Sequence, residues 1–111
     1  MEVEKHMQGA VTVIALHGEL DSGTAPKVQG QIGDLVPEKG QVLIDLTRTS
    51  YMSSAGLRVL LLVYRQAQAN GARLALACAP PDVRAVMSAT GFLNFFTVTD
   101  SVAEGVAVLG G

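Results

Sequence analysis

Gln41-Val42-Leu43-Ile44-Asp45-Leu46, then a polar run Thr47–Ser53, then Ser54–Asn70 closed by Gly71, then Arg73–Cys78: this stretch sets the architecture. Two short β-rich runs enclose a segment whose apolar residues recur at helical spacing. Leu57, Leu60, Leu61 and Tyr64 make one stripe, Val59, Leu62 and Val63 widen it, and Arg58 and Arg65 mark the wet side. A stripe this wide fits a helix packed both on a sheet and on a neighbouring helix. A strand, a helix and a second strand in that order predict parallel strands joined by a right-handed crossover.

The flanking sequence extends the pattern. Toward the N-terminus, residues 2–8 alternate loosely, Gly9-Ala10 is a turn, and Val11–Leu16 is β-rich and nearly continuous, which predicts an opening hairpin with a buried second strand. A polar loop from Gly18 to Gly23 follows, then a helix over Ala25–Val36 with Pro26 in its first turn and Val28, Ile32, Leu35 and Val36 on one face. Toward the C-terminus, Pro80-Pro81 ends the strand after the central helix. A helix beginning at Pro81 or Asp82 carries Val83, Val86 and Met87 inward and stops at Thr90-Gly91. Phe95–Val98 reads as a short strand, and Thr99, Asp100 or Ser101 caps a last helix through Val108. The expected order, β-β-α-β-α-β-α-β-α, is a single α/β domain over residues 1–111. Its small mixed sheet is mostly parallel, opens with a β-hairpin and is packed with about four helices, and one covered face suffices for a chain this small.

Composition bounds the function. Of 111 residues, 49% are apolar and 16% charged, which excludes a disordered chain. The longest uninterrupted apolar runs, Val59–Tyr64 and Leu74–Ala79, are six residues long, against about 20 for a membrane-spanning helix. The net charge of −2 with scattered basic residues leaves no electrostatic footprint for nucleic acid. One cysteine, Cys78, excludes an internal disulfide, and it reads as a small buried hydrophobe on a core strand. The acidic, polar start Met1-Glu2-Val3-Glu4-Lys5-His6 lacks the regions of a secretory signal. The expectation is a cytoplasmic protein with neither a membrane nor a nucleic-acid partner.

Catalytic sets are missing. The two histidines, His6 and His17, lie on the hairpin without ligand spacing, so the sequence offers no metal site. No phosphate-cradling loop of the Gly-x-x-x-x-Gly-Lys or Gly-x-Gly-x-x-Gly type occurs, so no cofactor is expected. Ser53-Ser54-Ala55-Gly56 is not a nucleophile elbow. A phosphate-accepting receiver domain would need clustered acids at strand ends and a late lysine. Asp45 lies inside its strand and no lysine follows Lys39. The expectation is that the chain is not an enzyme.

What remains is the entry into the central helix, Tyr51-Met52-Ser53-Ser54-Ala55-Gly56-Leu57-Arg58. Serines there can cap free N–H groups. One serine suffices for that, Gly56 is a poor helix former, and small residues let another backbone approach closely. A helix N-terminus also favours an anion, so a serine there is suited to carry a phosphate.

Three segments together resemble the STAS domain family, and within it the stand-alone anti-sigma factor antagonists of bacteria. Val13–Asp21 is similar to the family's strand ending in Gly-Glu/Asp-Leu/Ile-Asp, Leu43–Leu46 to the strand before the switch loop, and Tyr51–Leu57 to the hallmark loop. The Gly91-Phe92 turn and the Phe95–Val98 strand also fit, so the resemblance covers nearly the whole chain. It implies partner switching. The unphosphorylated antagonist binds an anti-sigma factor that is also a serine kinase, the kinase phosphorylates it, and a PP2C-type serine phosphatase reverses the step. The match puts the acceptor at Ser54. It departs from the family at Ser53, where aspartate is usual. The implied partner-binding face is Asp21, Ser22, Gly23 and Thr24 with Ser53, Ser54, Ala55, Gly56, Leu57 and Arg58. The alternative within the same family is a constitutive docking subunit of a transport complex.

Overall fold

The computed structural model describes residues 1–91, 94 and 96–110. The elements are β1 (Glu2–Gln8), β2 (Val11–Leu20), α1 (Ala25–Leu35), β3 (Gln41–Asp45), β4 (Thr49–Met52), α2 (Ser54–Ala69), β5 (Arg73–Ala77), α3 (Pro81–Ala89), β6 (Thr97–Thr99) and α4 (Val102–Val108). The sheet runs β1-β2-β3-β5-β6, with β4 attached beside the far end of β2. β1 and β2 are antiparallel, and every other pairing is parallel. The expected α/β fold, with its opening hairpin, mostly parallel sheet and four helices, is the one observed.

Three expectations require correction. The sheet is covered on both faces, not one. Ile14, Leu16, Val42, Ile44 and Leu76 pack toward Val28 and Ile32 of α1, Leu57, Leu60 and Val63 of α2, and Val83 and Met87 of α3. Their strand neighbours Val11, Val13, Leu43, Ala75 and Ala77 turn to the other face, where Val106 and Leu109 close a second core. This is why Val11–Leu16 reads as continuous rather than alternating. The small side chains of Ala75, Ala77 and Gly105 let α4 lie close; a Cβ on Gly105 would sit 2.6 Å from Leu43 Cδ1.

The second correction concerns Thr47–Ser53, expected as loop. It contains β4, and β2 runs four residues past Leu16 to meet it. Gly18 lies inside the strand at a register shift, with φ +114°, and its N–H donates to the Arg48 carbonyl at 2.9 Å. A glycine within a strand marks such a bulge. Thr49 is buried, and its hydroxyl donates to the Leu16 carbonyl at 2.9 Å, which satisfies the one polar side chain that β4 drives inward. At the other end, β6 begins at Thr97; of the expected Phe95–Val98 strand, Phe95 lies outside the described residues, as does Phe92 of the Gly91-Phe92 turn. Cys78 is not buried on a strand. It follows β5, half-exposed, at φ 61°.

β2, β4 and α2 meet at one point. Ser53 N–H donates to the Leu20 carbonyl at 2.9 Å, and a Cβ built on Gly56 would stand 2.7 Å from that carbonyl oxygen and 2.8 Å from Met52 Cγ. The backbone that the glycine admits is therefore the chain's own. Gly30, in α1, has nothing within 4 Å of the same position. Alanine at the two sites should act with opposite sign. Gly30→Ala gains roughly 0.5–1 kcal/mol from helix preference. Gly56→Ala gains the same preference but overpacks against backbone, at a cost of about 1–3 kcal/mol. Thermal denaturation should show Gly30→Ala melting above wild type and Gly56→Ala below it.

Candidate functional site

Because β2 and β4 run parallel with Leu20 beside Met52, the segments that leave them start side by side. Functional loops collect at this end of a parallel sheet. After β2 comes the Asp21–Thr24 turn into α1; after β4 comes the first turn of α2.

The Asp21–Thr24 turn is held by its own side chains. Asp21 Oδ1 accepts from the N–H groups of Gly23 at 2.9 Å and Thr24 at 3.1 Å. Thr24 Oγ1 accepts from Asp21 N–H at 3.0 Å and donates to the Glu19 carbonyl at 3.0 Å. The Asp21 carbonyl accepts from Ala25 N–H at 2.8 Å. Aspartate and threonine favour turns because they can make these local bonds. Ser22 and Gly23 project into solvent between them.

At the start of α2 the two serines divide the work. Ser53 is the N-cap, with φ −89° and ψ 177°, and its hydroxyl accepts from Gly56 N–H. Ser54 is the first helical residue, exposed, and its hydroxyl has no partner among the described residues. Nor have the Ser54 and Ala55 N–H groups an acceptor there, as expected for the first turn of a helix. No acidic side chain stands in that turn, so the positive end of this 16-residue helix is not offset from within the helix itself. Arg58 is exposed one turn beyond Ser54, on the same side.

The ten residues expected to form one face therefore separate by burial. Ser22, Gly23, Ser54 and Arg58 are exposed, and Asp21, Thr24, Ser53 and Ala55 are half-buried. Gly56 and Leu57 lie in the interior: Leu57 is fully buried in the core, and Gly56 is pressed against Leu20. They support the face from beneath rather than forming its surface. Sequence reasoning missed Leu20, whose carbonyl joins the two segments, and Tyr51, whose ring is half-exposed beside them at the end of β4. The signal for Leu20 was its place two residues past Gly18, directly before Asp21. Among the described residues no helix is long and apolar enough to cross a membrane.

Known proteins resemble this chain in sequence and in fold. The Bordetella bronchiseptica protein BtrV, whose name classes it as an anti-sigma factor antagonist, is 38% identical over 91 residues, which cover 80% of this chain and 78% of BtrV. The crystal structure of an anti-sigma factor antagonist from Mycobacterium paratuberculosis superposes with a TM-score of 0.89 at 22% identity, covering 99% of this chain and 94% of that one. SpoIIAA of Bacillus, known in unphosphorylated and phosphorylated forms, superposes with TM-scores of 0.77 and 0.70 at 24% and 22% identity, over 99% and 96% of this chain and 98% and 97% of the two SpoIIAA chains. At these identities the structures speak to the fold. The STAS domain pattern matches residues 2–105, so nearly all of this sequence is accounted for and the chain belongs to the STAS domain family.

Proposed function

We infer that this protein is an anti-sigma factor antagonist switched by phosphorylation of Ser54. In its unphosphorylated form it binds a serine-kinase anti-sigma factor through the Asp21–Thr24 turn and the start of α2. A PP2C-type serine phosphatase restores it. It works in the cytoplasm, by binding and not by catalysis. The observation that carries this reading is the division between the serines: Ser53 is committed to the helix cap, while Ser54 stands exposed beside it with no partner among the described residues.

The physics of the switch is local. A phosphate adds a charge of about −1.5 to −2 at neutral pH. On Ser54 of the free protein it sits at the positive end of α2, within reach of unpaired N–H groups and on the side of Arg58, so the fold tolerates it. In a packed interface the same group must be desolvated. A penalty of about 3–4 kcal/mol there lowers affinity a few hundred-fold, at about 1.4 kcal/mol per tenfold. The switch then blocks an interface without refolding the domain.

Treatment with the cognate kinase and ATP, followed by mass spectrometry, should place a single phosphate on Ser54, and none should appear without the kinase. Ser54→Ala should bind the kinase constitutively. Ser54→Asp should bind it poorly and keep a melting temperature within a few degrees of wild type. Phosphate on Ser53 would move the acceptor by one residue. No phosphate at either serine, with Ser54→Asp binding normally, would leave only a constitutive docking module.

Asp21 has a structural duty, and its variants should reveal it. Asp21→Ala removes the acceptor of two turn N–H groups and should cost about 1 kcal/mol of stability, together with a loss of partner affinity. Asp21→Asn keeps an acceptor oxygen and should recover most of the stability. If affinity stays low in Asp21→Asn, the charge itself meets the partner. If affinity recovers, the role of Asp21 is to shape the turn. Denaturation and binding titrations of the two variants separate these outcomes.

A further inference from the structure

The hairpin carries a second cluster of chemistry, remote in sequence from α2. Its register places Glu2 opposite His17 and Glu4 opposite Ala15. Side chains alternate along a strand, so Glu2, Glu4 and His17 share the face on which Val11 and Val13 enter the second core. Helix α4 covers that face over β3, β5 and β6. Over β1 the face is open, and both glutamates are exposed. One donor atom from each of Glu2, Glu4 and His17 can be chosen so that all three lie within 4.8 Å of one another. His17 Nε2 stands 3.7 Å from Glu4 Oε2. That gap is too long for a hydrogen bond. It is close to the spacing of about 3.3 Å between two ligands of a tetrahedral zinc ion with bonds near 2.0–2.1 Å. Glutamate side chains turn freely enough to close the remainder.

We propose that Glu2, Glu4 and His17 form a divalent metal site of the zinc class, clamping the open end of the β1–β2 hairpin. The donor set of two carboxylates and one imidazole selects the metal. Magnesium and calcium favour all-oxygen shells, whereas an imidazole nitrogen suits zinc and its transition-metal neighbours. Three protein ligands leave a coordination position for water. Two carboxylates on one strand face repel, and a bound cation offsets that repulsion while the imidazole holds it against the neighbouring strand. Linear spacing did not reveal the site because its ligands come together only through cross-strand pairing.

The untagged full chain should be titrated calorimetrically with zinc chloride. One ion should bind per chain, the melting temperature should rise with zinc concentration, and magnesium chloride should do neither. His17→Gln and Glu4→Gln should each weaken zinc binding by about tenfold or more, with Glu2→Gln as an independent third variant. Glu2 and Glu4 are exposed, so their metal-free variants should melt with wild type; His17 is partly buried, and glutamine there keeps a polar side chain of similar reach. His6→Gln and Cys78→Ser, which remove the other histidine and the thiol, should bind zinc as wild type does. Absence of zinc binding overturns the proposal. So does binding that survives His17→Gln, or that is lost in His6→Gln or Cys78→Ser.

Discussion

The Leu20 carbonyl is the atom on which the candidate functional end of the molecule depends. It accepts the Ser53 N–H at 2.9 Å, which ties the end of β4 to the end of β2. It also lies 2.7 Å from where a Cβ on residue 56 would stand, so α2 begins there without strain only with glycine at that position. The backbone bond fixes the direction in which the chain leaves β4, and the missing Cβ fixes how closely the helix approaches. The residue after Leu20 is Asp21, whose carboxylate closes the next turn. A displacement of Leu20 would be transmitted to Ser54 on one side and to the Asp21–Thr24 turn on the other.

That end can be so constrained because the rest of the sheet is buried twice over. Alternate residues of β2, β3 and β5 feed two cores, with three helices over one face and α4 over the other. Two covered faces give a 111-residue chain more apolar burial than a single-layer arrangement. The strand ends are then held by packing on both sides. An interface built on such a platform loses little conformational entropy on binding, since its loops are already ordered by internal hydrogen bonds.

Most of this was legible in the sequence, and what was missed has specific physical causes. The helix over Ser54–Asn70 was clear because its apolar stripe is long and ends at Gly71. The buried strands were clear because Val11–Leu16 and Gln41–Leu46 are short, β-rich and flanked by turn residues. β4 escaped because its burial runs buried, exposed, exposed, buried over four residues, which breaks the alternation that marks a strand. Gly18 looked like the end of a strand, yet β2 continues through it, and the register shift there leaves Ser50 of β4 without a partner on β2. The second face was hidden because Ala75, Ala77 and Gly105 are too small to advertise a helix contact. At the site, the exposed serine and the turn were legible as a motif. The inward role of Gly56 was not, since a small residue reads alike whether a partner's backbone or the chain's own fills the space.

Under the switch proposed above, a neutral serine at the N-cap of α2 bears on how that switch would be tuned. A carboxylate at the N-cap would satisfy the same Gly56 N–H with a full negative charge and partly neutralise the positive end of α2 before any phosphate arrives. Ser53 accepts that N–H while remaining neutral. The helix terminus keeps its potential for an incoming anion, and a phosphate one residue on meets no like charge in the first turn. If Ser54 carries the proposed phosphate, the free protein should therefore accommodate it more comfortably than a Ser53→Asp variant would. The change in surface potential between the two states also grows, because it starts from a positive end rather than a neutralised one. A partner that reads this face by charge would then see a larger contrast, with the backbone in the same place in both states.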